Sequence, residues 1–329
     1  MNDKISQAIY GEVMFRLLEV GLHTGIFEYL SRAEIGYHWK EIQKKFQSFE
    51  TERLYRFLNA SVSGGLLKYD EEGRYSVDEQ DKKFYDSISE QYVGAFINHM
   101  DIQTRDQLKD LEEIICGMPS KNQIFSKLYR DRESVRKFLD AMWGLGYSEA
   151  RTIIQNKEFP KYKKLADIGG GTGAFSIVSI LEEKVEEAVV FDLHDIEFYV
   201  NEKIEMYQLT TKLAFVGGNF FKDELPVVDA YVLGYILSDW TDDVCRELIR
   251  KIYDVSPKGA DIIILEKLFN KNKLEPFSTA MMDICMMVET GGKHRTYDEY
   301  KALLEECGFS NVHLIKSTGE KHAIIGKKE

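Results

Sequence analysis

Cysteine is scarce: the 329-residue chain has four, Cys116, Cys245, Cys285 and Cys307, far apart in sequence. No two form a C-x-x-C pair, so neither a disulfide framework nor a zinc site is expected, only reduced thiols in or near a core. Prolines number five, and no Pro- or Ser-rich linker marks a domain boundary. No stretch approaches the roughly 20 apolar residues that span a bilayer. The N-terminus MNDKISQAIYGEVMF lacks an apolar run ending in a small-residue cleavage site, so no signal peptide is expected. A cytoplasmic protein with no membrane partner is the expectation. Basic charge is in the minority, 43 Lys and Arg against 55 Asp and Glu, a net charge of −12. That balance argues against a nucleic-acid partner. What is present is ordinary globular composition, 44% hydrophobic and 30% charged. At this length it suffices for two domains, or one large one, with a sizeable core. No internal repeat or low-complexity segment appears.

Residues 1–160 read as mostly helical, and residues 165–329 alternate strand-like and helix-like segments. In the first part Phe15, Leu18, Leu22 and Ile26 fall at helical spacing. The short helix WKEIQKKF follows, then a helix carrying Leu54, Phe57 and Leu58, which Gly64-Gly65 ends. Two short strands, 66–69 and 74–77, flank the turn Asp70-Glu71-Glu72-Gly73, a hairpin signal. Three helices and a hairpin are the outline of a winged helix. Its second-to-last element would be the DNA-reading helix, but Arg53 and Arg56 are balanced there by Glu50 and Glu52. A packing or dimerisation role is therefore expected rather than DNA binding. Over 84–150 the chain continues as amphipathic helix, with Met142, Trp143 and Tyr147 at core spacing.

The chemistry begins at KLADIGGGTGAFSIVSILEE. Leu165 to Ile168 form a strand, Gly169, Gly170, Gly171 and Gly173 a turn, and Ala174 to Glu183 a helix. Glycines let backbone approach a ligand closely, and the helix N-terminus carries partial positive charge. About twenty residues on, Asp192 ends the strand VVFDL, where a carboxylate can accept two hydrogen bonds from a ribose diol. Glycine turn and distal acid together indicate a nucleoside-containing cofactor. Gly169-x-Gly171-x-x-Ala174 also satisfies the loose dinucleotide pattern. Asp167, two residues before the first glycine, and the D-x-G-x-G-x-G spacing favour S-adenosylmethionine instead.

The ordered set DIGGGTG (167–173), FDL (191–193), GNFF (218–221), LSDW (237–240), PKG (257–259) and GGKHRT (291–296) resembles the class I S-adenosylmethionine-dependent O-methyltransferases of the caffeate and acetylserotonin type. The likeness spans nearly the whole chain. It implies an α/β fold: a Rossmann-like, doubly wound methyltransferase domain over 106–329, behind an N-terminal helical winged-helix dimerisation domain over 1–105. It also implies an intertwined homodimer. Carried over by position, Asp167, Gly169 and Gly171 would border the cofactor's methionine part, and Asp192 would bind its ribose hydroxyls. Asn219 and Phe220 would meet the adenine, Trp240 would wall it, and Asp239 would sit beside the site.

The departures fall on the acid–base residues. The family usually reads Leu-His-Asp-Trp at 237–240, and that histidine is the general base; here the position is Ser238. The family acid that orients it, in G-G-K-E-R-T, is here His294. A further family acid corresponds to Glu266. An unperturbed serine hydroxyl is no base near neutral pH. Either the base has moved to a His294–Glu266 pair, or the acceptor needs none. A thioether, an unprotonated amine or an ionised acceptor supplies its own lone pair, and positioning can then deliver most of the rate. Thioether S-methylation, as in relatives that methylate sulfur, is one such case. A reaction that uses the sulfonium without methylating, and a DNA-binding regulator, stand as alternatives. His99 and Met142 are candidates for the acceptor pocket, as is Met286 among Met281, Met282 and Met287. No His/Asp/Glu set has metal-ligand spacing, so no metal is expected.

Overall fold

The computed structural model describes residues 2–120 and 131–329. It divides into two compact units, Met1–Asn98 and His99–Glu329. Among the described residues no helix is long and apolar enough to cross a membrane.

The first unit runs α1 (Asp3–Ile9), α2 (Gly11–His23), α3 (Ile26–Ser31), β1 (Tyr37–His38), α4 (Trp39–Lys45), α5 (Thr51–Ser63), β2 (Lys68–Tyr69) and β3 (Arg74–Ser76). The strands form an antiparallel sheet in the order β1-β3-β2. The helical stretch predicted over 15–26 is divided at Thr24-Gly25, so Ile26 opens α3 rather than continuing α2; Leu22 and Ile26 are buried, with Leu18 packed against them. In α5 the predicted stripe puts Leu54 and Leu58 in the same core, with Phe57 at its edge. Gly65, at φ +77°, takes the left-handed conformation just past α5, the usual role of a glycine after a helix end. The hairpin forms as read, with Tyr69 opposite Tyr75.

The second unit is built on one large sheet. Helix α6 (Arg132–Ile154) precedes β4 (Tyr162–Ile168), α7 (Ala174–Leu181), β5 (Val185–Asp192), α8 (Glu197–Met206), β6 (Leu213–Gly217) and β7 (Ala230–Gly234). Then come α9 (Asp242–Val255), β8 (Asp261–Phe269), α10 (Phe277–Glu289), β9 (Arg295–Thr296), α11 (Tyr297–Glu306), β10 (Ser310–Ile315) and β11 (Lys321–Lys327). The strand order is β10-β11-β8-β7-β4-β5-β6, with β9 appended to β8. Strands β4 to β8 pair in parallel, and β11 runs antiparallel between β8 and β10.

Period-two alternation distributes the strand side chains over two cores. Leu165, Val190, Val232 and Ile263 face a layer holding α6, α7 and α8. Their neighbours Ala166, Phe191, Leu233 and Ile264 face one holding α9 and α11. All nine residues of β8 are buried, as befits a central strand covered on both faces. Successive crossovers leave the sheet in opposite directions from β4 and β7. The crevice at their carboxyl ends is the switch point where open α/β sheets bind ligands.

Two features fix the turn that follows β7. Arg295, 1% exposed, donates from Nη1 to Leu237 O (2.7 Å) and from Nη2 to Trp240 O (2.8 Å), and its Nε donates to Asp242 Oδ1 (2.8 Å). Gly292 lies against the same turn: a Cβ there would stand 2.0 Å from Ser238 O and 2.8 Å from Asp239 Cα. Neither contact is with a flexible side chain, so an added methyl must move backbone. Gly292→Ala is expected to lower unfolding free energy by about 3 kcal/mol, at the upper end of overpacking costs. Chemical denaturation measures it, and a change below 0.5 kcal/mol would show that the turn yields freely.

Candidate functional site

At the carboxyl ends of β4, β5 and β7 lies a cavity of about 360 Å³. The glycine loop forms one wall. Gly169, Gly171 and Gly173 have φ of +68°, +53° and +71°, which side chains rarely tolerate. A Cβ on Gly170 would come within 2.7 Å of Asp167 Cγ, whereas one on Gly171 would meet only Gly169 O, at 4.0 Å. The backbone at Gly171 therefore faces open space, as a surface must if a ligand is to lie on it.

Asp192, at the end of β5, is held by that loop. Its Oδ2 accepts from Gly171 N–H (2.8 Å) and its Oδ1 from Leu193 N–H (2.7 Å). Burial pushes its pKa up to about 6, against those two hydrogen bonds. Asp167 accepts from the Ser176 hydroxyl (2.9 Å). Burial pushes its pKa up to about 7; the Ser176 bond opposes this and the Asp192 charge adds to it. Beyond Asp192, Asn219 Oδ1 accepts from Phe221 N–H (2.9 Å), an Asx turn that aims Phe220 at the cavity. Phe221 packs edge-on against Phe220 and Trp240, with centroids 4.6 and 5.1 Å apart.

The seven residues expected at a cofactor, Asp167, Gly169, Gly171, Asp192, Asn219, Phe220 and Trp240, all line this one cavity. A carboxylate on loop backbone, an open glycine surface and flanking aromatic rings can together hold a nucleoside. Met142 and Asp239 line the same space. His99 does not, but its ring lies 5.5 Å from that of Phe138, a wall residue, and burial pushes its pKa down to about 4. Met286 sits on α10 away from the lining, its carbonyl accepting from Thr290 and Gly291.

Ser238, Glu266 and His294 come together behind the wall, all nine-tenths or more buried. Ser238 N–H donates to Glu266 Oε1 (3.1 Å). His294 Nδ1 stands 4.0 Å from Glu266 Oε2, too far for a hydrogen bond. Among the described residues neither ring nitrogen of His294 has a hydrogen-bond partner. Burial, then Lys267, Lys321 and Arg295, push its pKa down to about 4. The same burial pushes Glu266 up to about 7, against the Ser238 N–H and the Lys321 charge. Asp239 is raised well above the carboxylate range by burial and by the like charges of Glu266 and Glu289.

Three residues that the sequence reading passed over shape this end. Arg295 and Gly292 belong to the GGKHRT motif, but only position 294 had attracted attention. Tyr235 lines the cavity at φ +63°, rare for an aromatic residue, with Lys321 Nζ 2.8 Å from its ring centroid. A left-handed aromatic at a ligand wall marks a functional position, and no sequence signal announces it.

The Asp167 shift fixes the sign of a pH effect. Its folded pKa is above the ordinary carboxylate value near 3.9, so ionisation opposes folding. Relative to Asp167→Asn, the unliganded wild-type protein should lose stability as pH rises from about 4 to 7 and hold level above. Melting temperatures of both proteins across that range test it; a difference that is flat with pH would show that Asp167 titrates normally.

The O-methyltransferase domain model matches residues 101–310. Acetylserotonin O-methyltransferase of Bos taurus is 29% identical over 212 residues, 64% of this chain and 61% of that protein. The Gallus gallus enzyme of that name is 30% identical over 213 residues, with the same coverage. The matched stretch thus spans about three-fifths of the length of these curated relatives. Among solved structures, human N-acetylserotonin methyltransferase in complex with SAM superposes with a TM-score of 0.87 at 22% identity, covering 99% of this chain and 97% of that one. PigF with SAH gives 0.82 at 20% identity over the whole of both chains. These structural likenesses establish the shared fold, and with a domain match over most of the second unit, the chain belongs to the O-methyltransferase family.

Proposed function

We propose that this protein transfers a methyl group from S-adenosylmethionine to a small-molecule acceptor that needs no general base. S-adenosylmethionine supplies an electrophilic methyl on a sulfonium, open to in-line displacement. The chain's residues fit it: the backbone at Gly169 and Gly171 borders its methionine part, Asp192 accepts from the ribose hydroxyls, and Asn219, Phe220 and Trp240 enclose the adenine. The relatives and solved structures named above, by what their names state, support the same cofactor and transfer. Met142 and Asp239 then border the acceptor, with His99 and Met286 as outer candidates.

One observation carries the base-free reading: His294, the imidazole that stands beside Glu266, is buried, neutral and off the cavity lining. A base whose conjugate acid has a pKa of about 4 is mismatched by roughly six units to a phenol near 10. Thioether sulfur, neutral amine nitrogen and activated carbon avoid that mismatch. A second reading, O-methylation with a relocated base, draws on the 4.0 Å between His294 and Glu266, which a small ring movement would close.

A labelled methyl group and a panel of thioethers, amines, activated carbons and phenols separate the two. Ser238→Ala should keep kcat within about threefold, and phenols should be poor acceptors; a thousand-fold loss would overturn the base-free reading. Efficient phenol methylation abolished by His294→Gln would establish the relocated base.

We also read residues 1–105 as a dimerisation segment. Ile5 and Ile9 on α1, Tyr10 at the junction and Val13 on α2, each more than half exposed, form an apolar row suited to a second copy. Light scattering at micromolar concentration should give about twice 38.1 kDa; a monomer would refute the dimer.

A further inference from the structure

One acidic side chain lines the cavity where an acceptor would sit, and the charges of two more act on it from outside the lining. Asp239 lines the cavity, and no hydrogen bond to its carboxylate is found among the described residues. The charges acting on it are those of Glu266 on β8 and Glu289 on α10, both of its own sign. Glu289 is 4% exposed and accepts from the Thr104 hydroxyl.

The cations nearby are engaged elsewhere. Arg295 pairs with Asp242 and clamps two carbonyls. Lys267 on β8 pairs with Glu320, and Lys293 with Asp242 (2.8 Å). Lys321 on β11 lies over the Tyr235 ring and shares its field between Glu149 and Glu266.

His294 is a second, independent sign that a group is missing. It is 5% exposed, its Nδ1 stands 4.0 Å from Glu266 Oε2, and neither ring nitrogen finds a hydrogen-bond partner among the described residues. Buried polar atoms are seldom left so without a ligand or water to complete them. An imidazole beside a carboxylate would ordinarily be protonated and balance it; this one is held neutral. Among the described residues no cation is therefore among the charges that act on Asp239.

We propose that the acceptor is a neutral nucleophile that becomes an onium cation on methylation, an amine nitrogen or a thioether sulfur, and that Asp239 holds this cation with Glu266 and Glu289 behind it. The proposal rests on the methyl-transfer reading. The acceptor's lone pair forms the new bond to the methyl carbon. The carbon–sulfur bond of the cofactor breaks, and its electron pair returns to sulfur. Positive charge thus passes from the cofactor's sulfur to the acceptor atom, and no proton moves. Carboxylates aimed at the place where that charge develops favour the transition state over the ground state. Phe138, which lines the same cavity, carries the kind of ring that attracts a cation. The raised pKa of Asp239 in the unliganded protein has a direct consequence: an arriving cation restores its ionised form, so binding expels a proton.

The test is titration calorimetry on the full chain. S-adenosylhomocysteine is titrated first; if it does not bind, the methyl-transfer reading falls and this proposal with it. The saturated protein is then titrated with benzyltrimethylammonium, benzyldimethylsulfonium and their uncharged isostere neopentylbenzene, in two buffers of different ionisation enthalpy. We expect one onium to bind at least tenfold more tightly than the isostere with proton release, and which one does so identifies nitrogen or sulfur. Asp239→Asn should erase that preference while leaving the isostere within threefold. Glu289→Gln, which does not touch the cavity, should reduce it in the same direction, and retained binding of S-adenosylhomocysteine certifies that either variant is folded. If S-adenosylhomocysteine binds but neither onium outranks the isostere, the onium proposal is overturned and methyl transfer stands.

Discussion

The Arg295 guanidinium is almost wholly buried, yet its donors are matched one by one, to Leu237 O, Lys293 O and Trp240 O and to the Asp242 carboxylate. Burying an unmatched charge is prohibitive, so the group is tolerable only while those acceptors stay in place. The requirement runs both ways. The turn over 237–240 must present its carbonyls inward, which settles where Ser238, Asp239 and Trp240 stand. Gly292 completes the fit by allowing the 290–294 segment to lie directly on that turn. One buried cation thus joins the segment after α10 to the segment after β7, and the polar end of the cavity is built on that joint.

The two ends of the cavity differ in their electrostatics. At the glycine loop, the Asp192 carboxylate is met by two backbone N–H groups that oppose the rise burial causes. Past Trp240, Asp239, Glu266 and Glu289 are gathered with little donor support, and all three are pushed upward by burial first. At Asp239 the acting charges are those of Glu266 and Glu289, both of its own sign, a field that suits a cation. The O-methyltransferase scaffold can carry such a field, because fold does not dictate the acceptor.

Much of the architecture could be read from the chain. The short apolar runs LADI and VVFD marked two strands of the parallel sheet, and both runs are buried throughout because each strand feeds two cores. The glycines at 169–173 and the acid at 192 located the cofactor end, because few backbones need three left-handed residues in five. The acceptor end was far less legible. Ser238, His294 and Glu266 were singled out as departures from a pattern, but their spacing of 28 residues each carries no distance. Met286, named from composition, is not among the residues that line the cavity, since composition does not say which face of a helix meets a wall. Tyr235 gave no signal at all, since positive φ at a non-glycine residue arises from surroundings rather than from the residue itself.

What the sequence by itself determined is therefore local: strand and helix placement, the conformation of the glycine loop and the carboxylate at the end of β5, each following from sterics and periodicity within a few residues. What only the tertiary structure decided is non-local: that His294 is buried without a hydrogen-bond partner, that Arg295 rather than its neighbour anchors the turn, and that three acids from three different elements share one region. Burial and charge proximity depend on which segments meet in space, and a chain written in one dimension does not contain those distances.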